Sequence, residues 1–191
     1  MLRGDFLKKG FILLLSLTLV LCFVLSSCGG PLDALENFCF AVKDFDIERM
    51  SSYTEDNAEK YFENVKSYEA MLSDEQREVA AELFSRMSFN DITEENGYFT
   101  VTVKYVDIAS IISTVNISLA TGTENASHYI KDIIESGRLE TQFIKTKQGV
   151  KVTVSETEKG SKLILGYSSE NKEFTTMLGL ENFLRWYSAQ R

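Results

Sequence analysis

The clearest fold signal lies at residues 96–105, Asn-Gly-Tyr-Phe-Thr-Val-Thr-Val-Lys-Tyr. From Phe99 to Tyr105, apolar residues alternate with threonine and lysine, which predicts a strand with one buried face. The preceding Asn96-Gly97 pair is typical of a tight hairpin turn, so we expect residues 88–94 to form the partner strand. A sheet with one apolar face needs a second layer to cover it.

Helical spacing of apolar residues dominates the chain before this hairpin. Pro31 suits the first position of a helix, and Asp46 suits the cap of a second, short helix. Ser73 and Gln76 have the spacing of a capping box, which predicts that another helix begins there. The apolar stripes comprise Leu35, Phe38, Cys39 and Val42, then Ile47, Met50 and Tyr53, then Ala58, Tyr61, Phe62, Val65 and Leu72, then Val79, Ala80, Leu83, Phe84 and Met87.

Helices and a second hairpin are expected after the first one. Asp107 can cap a helix, and a further helix should end at Gly137. Alternation predicts a strand over 150–154, which returns over 162–167. A C-terminal helix kinked near Gly179 should follow. The order predicts an α+β fold: N-terminal helices pack on a curved, cone-like antiparallel sheet, with helices inserted between two hairpins and a C-terminal helix.

The N-terminal segment has the pattern of an export signal. Arg3, Lys8 and Lys9 precede an apolar run that starts at Phe11 and ends with Leu25-Ser26-Ser27-Cys28. A basic start, an apolar run and a small-residue exit are the three parts of a secretory signal. An uncleaved transmembrane helix is the alternative, because the run is long enough to span a bilayer.

The order of an aliphatic residue, two small residues and a cysteine resembles the lipobox of bacterial lipoproteins. The resemblance implies that residues 1–27 are a signal peptide and that Cys28 carries a lipid such as palmitate. Residues 28–30 are then the lipidated cysteine and a spacer, and residues 31–191 form one extracytoplasmic domain on the cell membrane. Cys22 does not fit the pattern, because the bulky Leu21 stands before it.

Charge and cysteine content narrow the set of partners. The chain has 20 basic and 28 acidic side chains and a net charge of −8. A chain this acidic is a poor candidate for nucleic acid, and it would be repelled by anionic headgroups. We therefore expect membrane contact through the lipid on Cys28 alone. With that sulfur occupied, Cys39 has no partner for an intramolecular disulfide, and its place on a helix stripe predicts a buried apolar role.

The order of elements also resembles the cystatin-like and nuclear-transport-factor-2-like folds, and in particular small lipoproteins of unknown function with such a domain. The resemblance rests on Ala34–Asp46 with Glu48, and on the Val150–Tyr167 hairpin. It implies a curved sheet wrapped around helices. Enzymes of this fold often use an Asp–His pair in the cavity, and the sequence offers no evident partner for its only histidine, His128.

The sequence contains no pattern that identifies an enzyme. His128 shares a helix face with charged residues and is expected to be solvated, and no cofactor or metal motif is present. Trp186 lies beside the last apolar stripe and is the candidate contact for a partner, whereas Tyr187 continues the stripe into the core. The paired carboxylates suit turns and helix caps better than acid–base catalysis. These pairs are Asp44 with Asp46, Glu55 with Asp56, and Glu94 with Glu95.

Three functions follow as hypotheses. The first is a non-enzymatic lipoprotein that binds a small ligand or an envelope protein. The second is a small enzyme that uses carboxylates and tyrosines inside a cavity, which requires close titratable groups with shifted pKa values. The third is an accessory subunit of an envelope complex.

Overall fold

The computed structural model describes residues 29–56, 59–122 and 125–190. Within these residues the helices are α1 (Pro31–Lys43), α2 (Ile47–Ser52), α3 (Tyr61–Glu69), α4 (Asp74–Ser85), α5 (Ile108–Ala120), α6 (Ala126–Glu135), α7 (Lys172–Leu178) and α8 (Leu180–Tyr187), with a short π-helix at Leu139–Phe143. The strands are β1 (Thr54–Asp56), β2 (Ser88–Glu95), β3 (Tyr98–Val106), β4 (Ile144–Val152), β5 (Val154–Thr157) and β6 (Gly160–Leu165). This order confirms the predicted α+β fold.

The strands fall into two three-stranded sheets, ordered β2-β3-β4 and β1-β6-β5. The predicted first hairpin is confirmed: β2 and β3 pair antiparallel, with Phe89 opposite Val103. Asn96 and Gly97 both have positive φ, 48° and 84°, as a two-residue turn of this kind requires. The buried face of β3 continues into β4, where Val101 lies opposite Val150.

The second predicted hairpin is also present, and β5 pairs antiparallel with β6. The strand expected over 150–154 is interrupted at Thr153, where the chain passes from one sheet to the other. Asn171, which is 2% exposed, holds this crossing. Its Oδ1 accepts from Thr153 N at 2.7 Å, and its Nδ2 donates to the carbonyls of Thr153 at 2.8 Å and Ile164 at 3.1 Å. One buried amide therefore satisfies the backbone groups that the change of sheet leaves unpaired.

The buried apolar side chains form one cluster, which runs from Leu35 in α1 to Tyr187 in α8. Helix α1 crosses this core and contacts β2, β5 and β6, so the N-terminal helices supply the cover that the sheets need. Phe38 and Phe89 both pack on the ring of Phe174, with centroids 6.2 and 5.9 Å away. These rings join α1, the first sheet and α7 across the core.

The predicted helix caps are confirmed. Asp46 accepts from Arg49 N at 2.9 Å, and Asp107 accepts from Ser110 N at 3.2 Å. Ser73 and Gln76 form the full capping box of α4, with backbone bonds of 3.2 and 3.0 Å. Each side chain satisfies a backbone N–H that has no partner inside its helix.

Several elements differ from the sequence expectation. The short strand β1 pairs parallel with β6 and was not predicted, because Thr54-Glu55-Asp56 has no apolar alternation. Strand β4 begins at Ile144, earlier than the expected residue 150. Its first residues are mostly exposed, so they show no apolar alternation from which the strand could be predicted. Leu72 is buried as expected, but it lies after α3 has ended at Glu69.

The described part of the chain contains no helix that is both apolar enough and long enough to cross a bilayer. Cys28 and the signal segment 1–27 lie outside the described residues, as does Ala58 of the third apolar stripe.

Candidate functional site

A groove of about 1040 Å³ lies between the start of α5 and the corner that joins α7 to α8. Its apolar lining includes Ile112 of α5 and Met177 of α7, and Trp186 of α8 forms part of its wall. Polar and charged side chains complete the lining, among them Thr176 and Asn182. Apolar walls with a few polar groups are typical of sites that bind small molecules.

Gly179 forms the corner of the groove and confirms the kink expected there. It ends α7 and starts α8 with φ 60°, a left-handed conformation that glycine adopts without strain. A Cβ at this position would lie 2.7 Å from Cγ1 and 3.0 Å from Cβ of Ile108. The missing side chain therefore allows α8 to turn while the corner stays in close contact with α5.

Trp186 is partly exposed, as its position beside the apolar stripe predicted. Its Nε1 donates to Asn116 Oδ1 at 3.0 Å, which joins α8 to α5. Its ring stacks on Tyr187, with centroids 5.8 Å apart and planes inclined by 15°. The ring of Phe183 also contacts it, with centroids 6.2 Å apart, so one hydrogen bond and two aromatic contacts hold the indole while part of it stays open to solvent.

Tyr187 belongs to the core, also as predicted. The side chain is fully buried, and its hydroxyl shares a hydrogen bond of 2.7 Å with Ser127 Oγ. Burial raises the pKa of Tyr187 to about 12. Adjacent residues of α8 therefore have different roles, one in the groove wall and one in the interior.

The acids of the groove are already neutralised. Asp107 pairs with Lys145, and Glu173 pairs with Lys147. Burial opposes ionisation of Asp107, but hydrogen bonds from Lys145 and Ser110 outweigh it and hold the pKa of this carboxyl below its usual value. These acids add no uncompensated negative charge to the groove.

The two cations of the groove lining lack such partners. Neither Lys172 nor Arg185 forms an ion pair with a carboxylate among residues 29–56, 59–122 and 125–190. Arg185 Nη2 donates to Asn182 Oδ1 at 3.3 Å, which holds the guanidinium on the groove side of α8. The groove consequently carries a local positive charge in a chain whose net charge is −8.

A second group of titratable side chains lies between α3 and α8. Glu181 is 9% exposed and accepts from Asn64 Nδ2 at 3.0 Å. The ring of Tyr61 packs edge-on against Tyr167 at 5.8 Å, and its buried hydroxyl forms no hydrogen bond with the described residues. Burial raises the pKa of Tyr61, and burial with the Glu181 carboxylate raises the pKa of Tyr167 to about 12.

This second group is poorly suited to acid–base catalysis. Tyrosines that resist ionisation are weak candidates for a base at neutral pH. Tyr61, Tyr167 and Glu181 also lie outside the lining of the groove. We therefore assign these side chains a structural role, in which they pack α3 against α8.

The other candidates from the sequence have structural roles. The imidazole of His128 is 75% exposed and 3.9 Å from the Asp132 carboxylate, as expected for a solvated histidine. Cys39 is buried, and burial raises the pKa of its thiol, so it is an inert apolar residue as predicted. Asp46 caps α2, and the carboxylate of Asp56 caps α3 by accepting from Phe62 N at 2.7 Å.

No cluster of three or more metal-ligating side chains occurs in the part of the chain that the structure describes. The groove brings together residues that the sequence did not connect. Lys172, Arg185 and Asn182 belong to no recognisable motif, and only Trp186 was predicted to contact a partner. Comparison with protein-family models, with curated proteins and with solved structures found no match.

Proposed function

We propose that this chain is an extracytoplasmic lipoprotein, anchored to the cell membrane through Cys28, whose domain is a non-enzymatic binding module. The groove beside Trp186 is the binding site. The observation that carries the proposal is the combination of apolar walls, a fixed and partly exposed indole, and cations without carboxylate partners. Such a combination favours binding of a ligand over a purely structural role.

The structure around Gly29 supports a short tether. Gly29 and Gly30 lead directly into α1, and they border a depression of about 700 Å³ that Lys159 and Lys162 of the β5–β6 hairpin also line. Because consecutive Cα atoms are about 3.8 Å apart, a lipid on Cys28 would bring this hairpin close to the bilayer. The proposed orientation therefore has the β5–β6 turn facing the membrane.

Membrane fractionation of the full chain tests the anchor. We expect Cys28→Ser to abolish incorporation of radiolabelled palmitate and to leave the signal segment uncleaved. Cys22→Ser is the matched control, because it removes the other cysteine of the apolar run, and it should behave like the wild type. Equal labelling of the wild type and Cys28→Ser would refute the lipoprotein assignment.

Substitutions on α5 test the groove. Ile112→Glu places a charge in the apolar lining, whereas Ile117→Glu places the same charge on the same helix at a residue that is 64% exposed and lies outside the groove lining. With a neutral naphthalene derivative as probe, only Ile112→Glu should weaken binding and the quenching of Trp186. Trp186 is the only tryptophan in the sequence, so the signal reports the groove directly. Equal loss in both variants would place the probe elsewhere.

The enzymatic alternative has no comparable support from the described residues. It requires close titratable groups with shifted pKa values that a substrate can reach. Tyr61 and Tyr167 are close together and have raised pKa values, but neither lines the groove. The role of an accessory subunit remains the other alternative, and pulldown of an envelope protein through the groove face would favour it over a small ligand.

A further inference from the structure

We propose that the ligand of the groove is a small, soluble organic anion with a flat apolar body. Its acidic group lies between Lys172 and Arg185, and its body covers Ile112, Met177 and Trp186. This inference rests on the proposed function, because it names the chemical class of the ligand at the same site.

The groove differs in charge from the rest of the chain. A chain with an excess of acidic side chains should repel anions over most of its surface. At the groove the acids Asp107 and Glu173 are each held by a lysine of β4, while Lys172 and Arg185 have no carboxylate partner among the described residues. The remaining charge of the groove is positive, so a cationic ligand would be repelled and an anionic one attracted.

The two cations of the groove lining differ in how firmly they are held. The guanidinium of Arg185 is oriented by its contact of 3.3 Å with Asn182 Oδ1. An oriented guanidinium presents its remaining N–H groups as a fork that matches a carboxylate, sulfonate or phosphate. Lys172, at the first position of α7, adds a second, more mobile positive charge to the same lining.

The apolar side chains of the groove suit a flat apolar ligand body. Met177 and Ile112 are largely buried side chains whose accessible parts line the groove, and Trp186 presents a flat aromatic surface there. A volume of about 1040 Å³ is slightly above the ~300–1,000 Å³ typical of small-molecule pockets. Such a space suits a drug-sized molecule better than a phospholipid with two acyl chains, which is why we assign a soluble ligand.

Three matched probes test the charge preference: naphthalene-1-sulfonate, naphthalene-1-sulfonamide and 1-naphthylmethylammonium. Each is titrated by calorimetry into the full chain in nanodiscs of zwitterionic lipid, with the signal of empty nanodiscs subtracted. We expect the sulfonate to bind about tenfold more tightly than the sulfonamide, as one charge-assisted contact allows. The cation should bind most weakly, and added salt should weaken only the sulfonate.

Variants assign the preference to the two cations. Arg185→Gln and Lys172→Gln should each reduce sulfonate affinity about threefold, so that the two cations together account for the tenfold preference, and leave sulfonamide affinity unchanged. Lys66→Gln is the control, because Lys66 is an exposed lysine on α3 outside the groove lining, and it should change neither. Equal affinities for the three probes, or a loss of sulfonate affinity in Lys66→Gln alone, would overturn the inference.

The outcomes also separate this inference from the proposed function. If the sulfonamide binds as tightly as the sulfonate and Ile112→Glu abolishes both, the groove is a binding site and only the anion preference is wrong. If no probe binds or quenches Trp186, the groove itself is not a site. Competition against the sulfonate by nanodiscs that contain phosphatidylglycerol would refute the soluble source and assign the groove to a membrane lipid.

Discussion

Gly179→Ala should be among the most destabilising single-methyl additions in this chain. At φ 60° an alanine adopts the left-handed conformation, which costs about 1–2 kcal/mol for a residue with a Cβ. The new Cβ would also lie 2.7 Å from Cγ1 of Ile108, and insertion into a packed contact of this kind costs about 1–3 kcal/mol. The two effects together predict a loss of roughly 2–5 kcal/mol in the free energy of unfolding.

Gly137→Ala provides the matched control. Gly137 has φ 73°, but nothing lies within 4 Å of the position where its Cβ would be placed. This variant should therefore lose only the backbone contribution, about 1–2 kcal/mol. Urea unfolding followed by far-ultraviolet circular dichroism measures both variants, and the difference between them is the cost of the contact with Ile108.

Two further readouts connect the corner to the groove. In Gly179→Ala the displaced α8 should strain the hydrogen bond between Trp186 and Asn116, so the emission of Trp186 should shift, whereas Gly137→Ala should leave it unchanged. The double variant Gly179→Ala/Ile108→Ala should lose less stability than the sum of the two single variants, because Ile108→Ala removes the Cγ1 atom that the new methyl group meets. Equal destabilisation by the two glycine substitutions would refute the close contact on which this reasoning depends.

Other side chains give further predictions. Asn171→Ala should lower the free energy of unfolding by about 2–4 kcal/mol in urea titrations, because three backbone bonds at the crossing between the sheets are lost. Gln76→Glu keeps the capping-box acceptor but loses the Nε2 donor that bonds the carbonyls of Tyr187 and Gln190, so a similar assay should show a loss of about 1–3 kcal/mol; full stability would contradict those bonds. The pKa of Asp107 is lowered by folding, so its contribution is present above the unfolded pKa and disappears as the pH falls through the folded value. The stability difference between the wild type and Asp107→Asn should therefore be largest near neutral pH and vanish in strong acid, and a constant difference would rule out this linkage.

The elements that the sequence predicted correctly are specified by neighbouring residues. Asn96 and Gly97 themselves adopt the positive φ angles that the turn requires, and Asp107 lies next to the backbone groups that it caps. Gly179 likewise marks the kink, because a positive φ at a non-glycine residue would be strained. Signals of this kind act over a few residues, so they are visible before the fold is known.

The division into two sheets could not be predicted in this way. The alternation from Val150 to Val154 is that of one continuous strand, and only the contact with Asn171, eighteen residues later, shows where the sheets separate. The sequence around Asn171 has no feature that identifies this contact. The parallel pairing of β1 with β6 depends equally on tertiary packing, since β1 has three residues and none of them is apolar.

The candidate site shows the same limit. Trp186 was predicted to be partly exposed because it lies one residue before the buried Tyr187 on a helix. Lys172 and Arg185 could not be selected, since a cation on a helix surface is usually solvated. Lys145 and Lys147 form ion pairs with the acids of the groove, which leaves Lys172 and Arg185 without carboxylate partners among the described residues. These pairings exist only in the assembled tertiary structure.

The wall of the groove is fixed before any ligand arrives. Gln76 of α4 donates to the carbonyl of Tyr187 at 2.8 Å and to that of Gln190 at 2.9 Å, so the C-terminal end of α8 is held by another helix. Trp186 is held by its hydrogen bond to Asn116 and by contacts with the rings of Tyr187 and Phe183. A ligand that enters such a groove orders few side chains, and the entropy lost on binding is small. Gln76→Glu should therefore weaken ligand binding, although Gln76 lies outside the groove lining. Without these bonds the C-terminal end of α8 would be more mobile, and binding would have to order it again.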